Sequence, residues 1–162
     1  MSKGSLSIFL LIFLLLNCGK NNNELNTKFE NEFNDSIKKS NAKSFEYNYY
    51  ELTPQKSYFV NSKLRFLKFH IGPEFGSIDS KIYYDQKTDS IKKHVLRIVE
   101  VENWKTEKLV DTIFVMYPEK KKIYSYVNNK LVDSTFKKQI FEWNQKFIKN
   151  IKHTTEEKYN YR

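Results

Sequence analysis

"SYFVNSKLRFLKFHI", Ser57 to Ile71, carries the texture that decides the fold. Tyr, Phe, Val and Ile dominate it, the residues that fit a pleated, half-buried surface. The same texture begins at Ser44 and recurs in "SFEYNYYEL", "KIYY", "IKKHVLRIVEVE", "LVDTIFVMY" and "KKIYSYV". Turn-forming stretches separate these runs: "TPQK", "GPEFG", "DQKTD" and "YPEK". Asn128-Asn129 reads as a two-residue hairpin turn, because asparagine tolerates positive φ. Successive strands with short connections predict an antiparallel meander rather than a βαβ fold.

Helical patterns flank the strands. Phe136, Ile140, Trp143, Phe147 and Ile151 recur at helical spacing. Ser134 or Asp133 can cap the start of this helix, and Lys149 and Lys152 suit its end. Its apolar stripe is expected to lie over one sheet face as core, in preference to a membrane surface or a partner. "HTTEEKYNYR", residues 153–162, reads as a flexible tail. Leu25, Phe29, Phe33 and Ile37 form a narrower stripe upstream, ending at Lys38 and Lys39. The expected fold class is α+β: an antiparallel β-meander packed by the C-terminal helix, with the N-terminal helix as a further candidate layer. These elements form a single domain over residues 25–152.

A faint repeat runs through the strands. "TDSI", "VDTI" and "VDSTF" place Asp89, Asp111 and Asp133 at intervals of 22 (111 − 89, 133 − 111). Such a period suits a reused strand–turn–strand unit, though matches this short fit chance as well as ancestry. The aspartates are expected as strand-end and turn residues rather than as a polar row.

The start of the chain has a different build. Lys3 supplies a charge, residues 6–16 are apolar apart from Ser7, and an asparagine-rich stretch follows. Eleven positions fall short of the roughly 20 that a membrane-spanning helix needs, and the layout is that of a secretory signal peptide. Leu15-Leu16-Asn17-Cys18 resembles the lipobox of bacterial lipoproteins, with Asn17 standing where Gly, Ala or Ser is usual. The resemblance implies cleavage before Cys18 and a diacylglyceryl group on its sulfur. Residues 1–17 would then be the signal peptide and 18–24 a tether, with an uncleaved anchor or ordinary secretion as the other readings. Two acyl chains hold a protein firmly to a bilayer without any spanning helix. By the same resemblance, Gly19 after the cysteine favours the outer membrane over the inner one.

Composition narrows the function classes. Removing residues 1–17 leaves 145 of 162 residues and lowers the net charge from +9 to +8, since Lys3 is the only charge lost. With 16% aromatics the remainder can build a core. A lipidated Cys18 leaves no thiol for a disulfide, a metal site or a nucleophile. The basic balance does not point to nucleic acid. The lysines are spread out, and Arg65, Arg97 and Arg162 are the only arginines. An anionic membrane or an envelope polysaccharide suits the charge better.

Motifs for chemistry are absent: no G-x-S-x-G, no H-E-x-x-H and no Gly-rich phosphate loop. Gly72 and Gly76 flank "PEF" and read as a turn around Pro73. His153 falls in the tail. His70 and His94 fall on strands, within range of Glu74, Glu100 or Glu102 for general acid–base work. His94, Glu100 and Glu102 share a face by even spacing, but so do Leu96 and Ile98, which argues for burial. Tyr47, Tyr49, Tyr83, Tyr124 and Tyr126 are the candidate binding residues, since tyrosine rows can stack on sugars or accept a peptide. The expectation is a membrane-anchored envelope lipoprotein with a non-catalytic binding or accessory role. Its partners would be the bilayer, through acylated Cys18, and an envelope protein or polysaccharide, with no cofactor and no metal. A hydrolase using His94 or His70 and a carrier of lipid or acyl chains are the alternatives.

Overall fold

The computed structural model describes residues 22–49, 54–72, 76–103, 105–135 and 138–162. Cys18 and the lipobox-like segment lie outside them, as do Pro73, Glu74 and Phe136 and the side chains of Leu25, Ile140 and Trp143. The chain divides into two units, residues 1–40 and 41–162.

In the first unit, helix α1 spans Asn22–Lys39, so the expected tether gives way to helix three residues early. Phe29 and Phe33 stack one turn apart, and Lys38 and Lys39 occupy the last turn. Ser40 closes the helix: its backbone N–H donates to the Ser36 carbonyl at 3.1 Å and its hydroxyl to the Ile37 carbonyl at 3.0 Å.

The second unit contains β1 (Lys43–Asn48), β2 (Pro54–Val60), β3 (Lys63–Ile71) and β4 (Gly76–Tyr84), then β5 (Ile91–Asn103), β6 (Lys108–Tyr117), β7 (Lys122–Val127) and β8 (Lys130–Asp133). Helix α2 (Lys138–Asn160) follows. The strands form one sheet in chain order with every neighbouring pair antiparallel, which is the meander expected of an α+β fold. Asn128 and Asn129 adopt φ of 48° and 65° at the β7–β8 turn, the left-handed pair that a tight hairpin requires. The run Ser57–Ile71 is two strands rather than one. Asn61 and Ser62, at φ 50° and 61°, fold it into a second two-residue hairpin.

Alternation places Phe45, Phe59, Leu64, Leu67, Phe69, Ile82 and Tyr84 on one sheet face, where Ile148 and Ile151 of α2 complete the core. Farther across that face Leu96, Met116 and Ile123 form a smaller cluster, with Ile78, Ile98 and Phe114 packed against it. One irregularity between β2 and β3 adjusts the alternation. A register shift beside Phe59 leaves Arg65 as an extra residue in β3 and buries it next to Leu64.

Helix α2 departs from expectation at its C-terminal end. Its described part begins at Lys138, and upstream the Asp133 carboxylate accepts the Thr135 N–H at 2.8 Å. The helix continues through Asn160, so residues 153–162 are not a free tail. Thr155 is fully buried, takes a hydrogen bond from the Gln55 side chain, shares one with the Tyr47 hydroxyl and donates to the Ile151 carbonyl. Tyr159 packs on the core, and the Arg162 guanidinium lies 4.4 Å from the Phe45 ring centre.

Candidate functional site: an apolar groove at the helix–sheet seam

Neighbouring strands lie about 4.8 Å apart, so an eight-stranded sheet is about 34 Å wide, whereas a helix covers about 10 Å. Helix α2 therefore leaves much of the apolar face uncovered by itself. Along its edge runs a groove of about 400 Å³. Its floor is Phe69 and Ile71 of β3, Ile78 of β4, and Leu96 and Ile98 of β5. The register explains why these meet: Ile71 faces Ile78, and Ile78 faces Ile98, across three adjacent strands. Phe147 forms the helix wall with its ring edge against Phe69, centroids 5.4 Å apart. Lys146 and Asn150, one turn apart on α2, stand at the rim. Lys146 is exposed.

His94 lies beside this floor on β5. It is buried, and its Nε2 is 2.7 Å from the Ser80 hydroxyl on β4. Burial lowers its pKa to about 3, because the cation would be stripped of water. The imidazole is thus neutral, and its ring-nitrogen partner is a serine rather than Glu100 or Glu102. His70 is exposed on the opposite face, with Nδ1 2.9 Å from Asp79 Oδ1 on the neighbouring strand. Arg97 continues that polar row, gripping Asp111 through two hydrogen bonds of 2.9 and 3.0 Å. His153 pairs with Glu157 one turn along α2.

The candidate tyrosines do not converge. Tyr47 and Tyr49 face α2 and pack against the core, and burial raises the Tyr47 pKa above its usual value. Tyr83 points to the opposite face and is buried, near Phe66 and Lys93. Tyr124 and Tyr126 share that opposite face on β7 and are half-buried. The three repeated aspartates also differ in setting. Asp89 sits in the β4–β5 turn at φ 61°, Asp111 inside β6, and Asp133 at the end of β8.

The groove residues were missed because an apolar strand position reads the same whether a helix covers it or not. Its available signal was arithmetic: many strands and one strongly amphipathic helix. Among the described residues no group of histidines, cysteines and carboxylates could hold a metal ion, and no helix is long and apolar enough to cross a membrane. No family model, curated protein or solved structure matches the chain.

Proposed function

We propose that the chain is an envelope lipoprotein, anchored by a diacylglyceryl group on Cys18, whose sheet-and-helix unit binds an apolar ligand without chemistry. The observation that carries the binding half is the groove between α2 and β3–β5. It has a floor of five apolar side chains and a volume of about 400 Å³, within the range of small-molecule sites. An acyl chain suits such a surface, since each methylene removed from water contributes about 0.8 kcal/mol. This favours the alternative of a lipid or acyl-chain carrier over a tyrosine platform, whose rings are divided between two faces. The anchor half rests on the sequence "LLNC" alone, and Gly19 gives the outer membrane preference over the inner.

A fluorescent fatty-acid displacement assay on the full-length chain tests the ligand. Saturable binding that Ile98→Asp abolishes, while the denaturation midpoint stays near wild type, supports the reading. Absence of saturable binding by wild type ends it. For the anchor, metabolic labelling with a fatty acid followed by mass spectrometry should mark wild type and leave Cys18→Ala unmarked. The hydrolase alternative keeps one supporting observation, the 2.9 Å contact between His70 and Asp79. It requires ester or amide turnover that His70→Ala removes.

A further inference from the structure

On the other side of α2, away from the groove, Arg65, Tyr84 and Asp89 come together with Lys152. The Arg65 guanidinium donates through Nη1 to the Asp85 carbonyl at 2.7 Å and lies 3.6 Å from Asp89 Oδ1. Lys152 donates to Asp89 Oδ2 at 2.6 Å, and its ammonium stands 5.4 Å from the Tyr84 ring centre. Three buried polar atoms in this cluster have no hydrogen-bond partner: Arg65 Nε, the Tyr84 hydroxyl and Asp89 Oδ1. Burial, with the charges of Glu156 and Asp89, raises the Tyr84 pKa far above its usual value, so the phenol keeps its proton. Orphaned groups of this kind are uncommon in native proteins and call for a cause.

Tyr84, Asp89 and Lys152 also line a cavity of about 310 Å³. Ile91, Pro118 and Ile148 give it apolar walls, and Lys149 and Glu119 stand with Lys152 and Asp89 around it. With Arg65 beside Asp89 and Glu156 beside Lys152, three cations balance three carboxylates.

We propose that this cavity is a second ligand site, for a neutral polyhydroxylated molecule, a saccharide unit, one hydroxyl of which bonds to Arg65, Tyr84 and Asp89. The donor and acceptor inventory selects this chemistry. Arg65 Nε only donates, the Asp89 carboxylate only accepts, and the Tyr84 hydroxyl does either. A hydroxyl satisfies all three, whereas a carboxylate or phosphate dianion cannot donate to Asp89 and an ammonium cannot accept from Arg65. Balanced charge around the cavity favours a neutral ligand, and the apolar walls match the C–H face of a sugar ring. A buried water offers the same hydroxyl chemistry and makes no use of those walls.

The test uses the full-length chain in a zwitterionic detergent that carries no sugar. Saturation-transfer NMR and calorimetry are run with a neutral hexose, an N-acetylhexosamine, a hexuronate and a hexose phosphate. The neutral sugars are expected to bind at least about tenfold tighter than the two anionic ones, a difference of about 1.4 kcal/mol. Tyr84→Phe should weaken that binding about tenfold or more while Tm stays the same or rises, because an unpartnered buried hydroxyl has been removed. Glu119→Gln, at the rim, should also weaken it, with Tm unchanged. No binding of a neutral sugar by wild type overturns the proposal, as does wild-type affinity in both variants. A lower Tm in Tyr84→Phe also overturns it, since the hydroxyl is then already bonded to a buried water.

Discussion

The ring of Tyr159 lies flat on the ring of Phe59, with centroids 3.8 Å apart and planes within 4° of each other. Phe45 meets the same tyrosine edge-on at 5.7 Å. The last turn of α2 thereby holds β1 and β2, the pair at the edge of the sheet formed by the described residues. Tyr159→Ala removes an aromatic contact and leaves part of the core open, at an expected cost of about 2 kcal/mol. Urea denaturation measures it. Tyr161→Ala, at a residue 89% exposed, is the control and should change stability by less than about 0.5 kcal/mol. Equal midpoints for the two variants would mean that the C-terminal turn is not part of the folded core.

Gly76 opens β4 opposite Glu100, and a Cβ there would press into the Val99 carbonyl oxygen. Backbone cannot swing aside as a side chain can, so Gly76→Ala should destabilise by about 2 kcal/mol. At Gly72 the nearest atom to an added Cβ is Nε2 of the exposed His70 side chain, at 3.1 Å, which can rotate away. Gly72→Ala should be close to neutral. The pair of denaturation midpoints separates close packing at Gly76 from any general need for glycine at both positions.

How far the sequence reveals this fold depends on what each residue reports. Strand texture and turn residues report local backbone, so the meander was legible and so was the Asn128-Asn129 hairpin. Asn61-Ser62 turns in the same way, but apolar residues crowd it on both sides and mask the break. The stripe toward the end of α2 was legible to Ile151 and then lost, because the next inward position is Thr155. A buried threonine keeps a helix in the core only when its hydroxyl has partners, here Tyr47, Gln55 and the Ile151 carbonyl. Tyr47 and Gln55 are 108 and 100 residues away in sequence, and no local pattern announces them. The same holds for both cavities. Arg65 could be noticed as one of three arginines, yet its burial follows from an extra residue in β3 that only the pairing shows.

His94 makes stability depend on pH. Its folded pKa of about 3 lies well below the roughly 6.5 of an unfolded imidazole. Between these values the unfolded chain binds a proton that the folded chain refuses. The stabilisation is complete above pH 6.5 and is lost as the pH falls toward 3, at up to about 1.4 kcal/mol per pH unit. Asp85, whose pKa is lowered by hydrogen bonds from the Thr88 and Lys87 backbone, acts in the same direction at the acid end. His94→Gln can keep a hydrogen bond to Ser80 without titrating. Urea midpoints at pH 7, 6 and 5 should fall for wild type and fall less for the variant. Parallel lines would show that His94 is reached by water and takes up its proton while folded.

If the groove takes amphiphiles as proposed, Lys146 is expected to decide whether it distinguishes head groups. Its ammonium stands at the rim beside Asn150, above a floor that carries no charge. An anionic amphiphile lying along Phe69, Ile78 and Ile98 can place its carboxylate there, while a neutral monoglyceride of the same chain length gains no charge contact. The site is open to water, so the ion pair contributes about 0.5–1 kcal/mol and two- to fivefold in affinity. Lys146→Glu should therefore weaken fatty-acid binding by about that factor or more and leave monoglyceride binding unchanged. Raising the salt concentration should narrow the gap between the two ligands in wild type, because an exposed pair is screened. If both ligands lose affinity equally in Lys146→Glu, the lysine shapes the groove by packing alone. If neither does, the ligand's polar end lies at the opposite mouth, nearer Ile71.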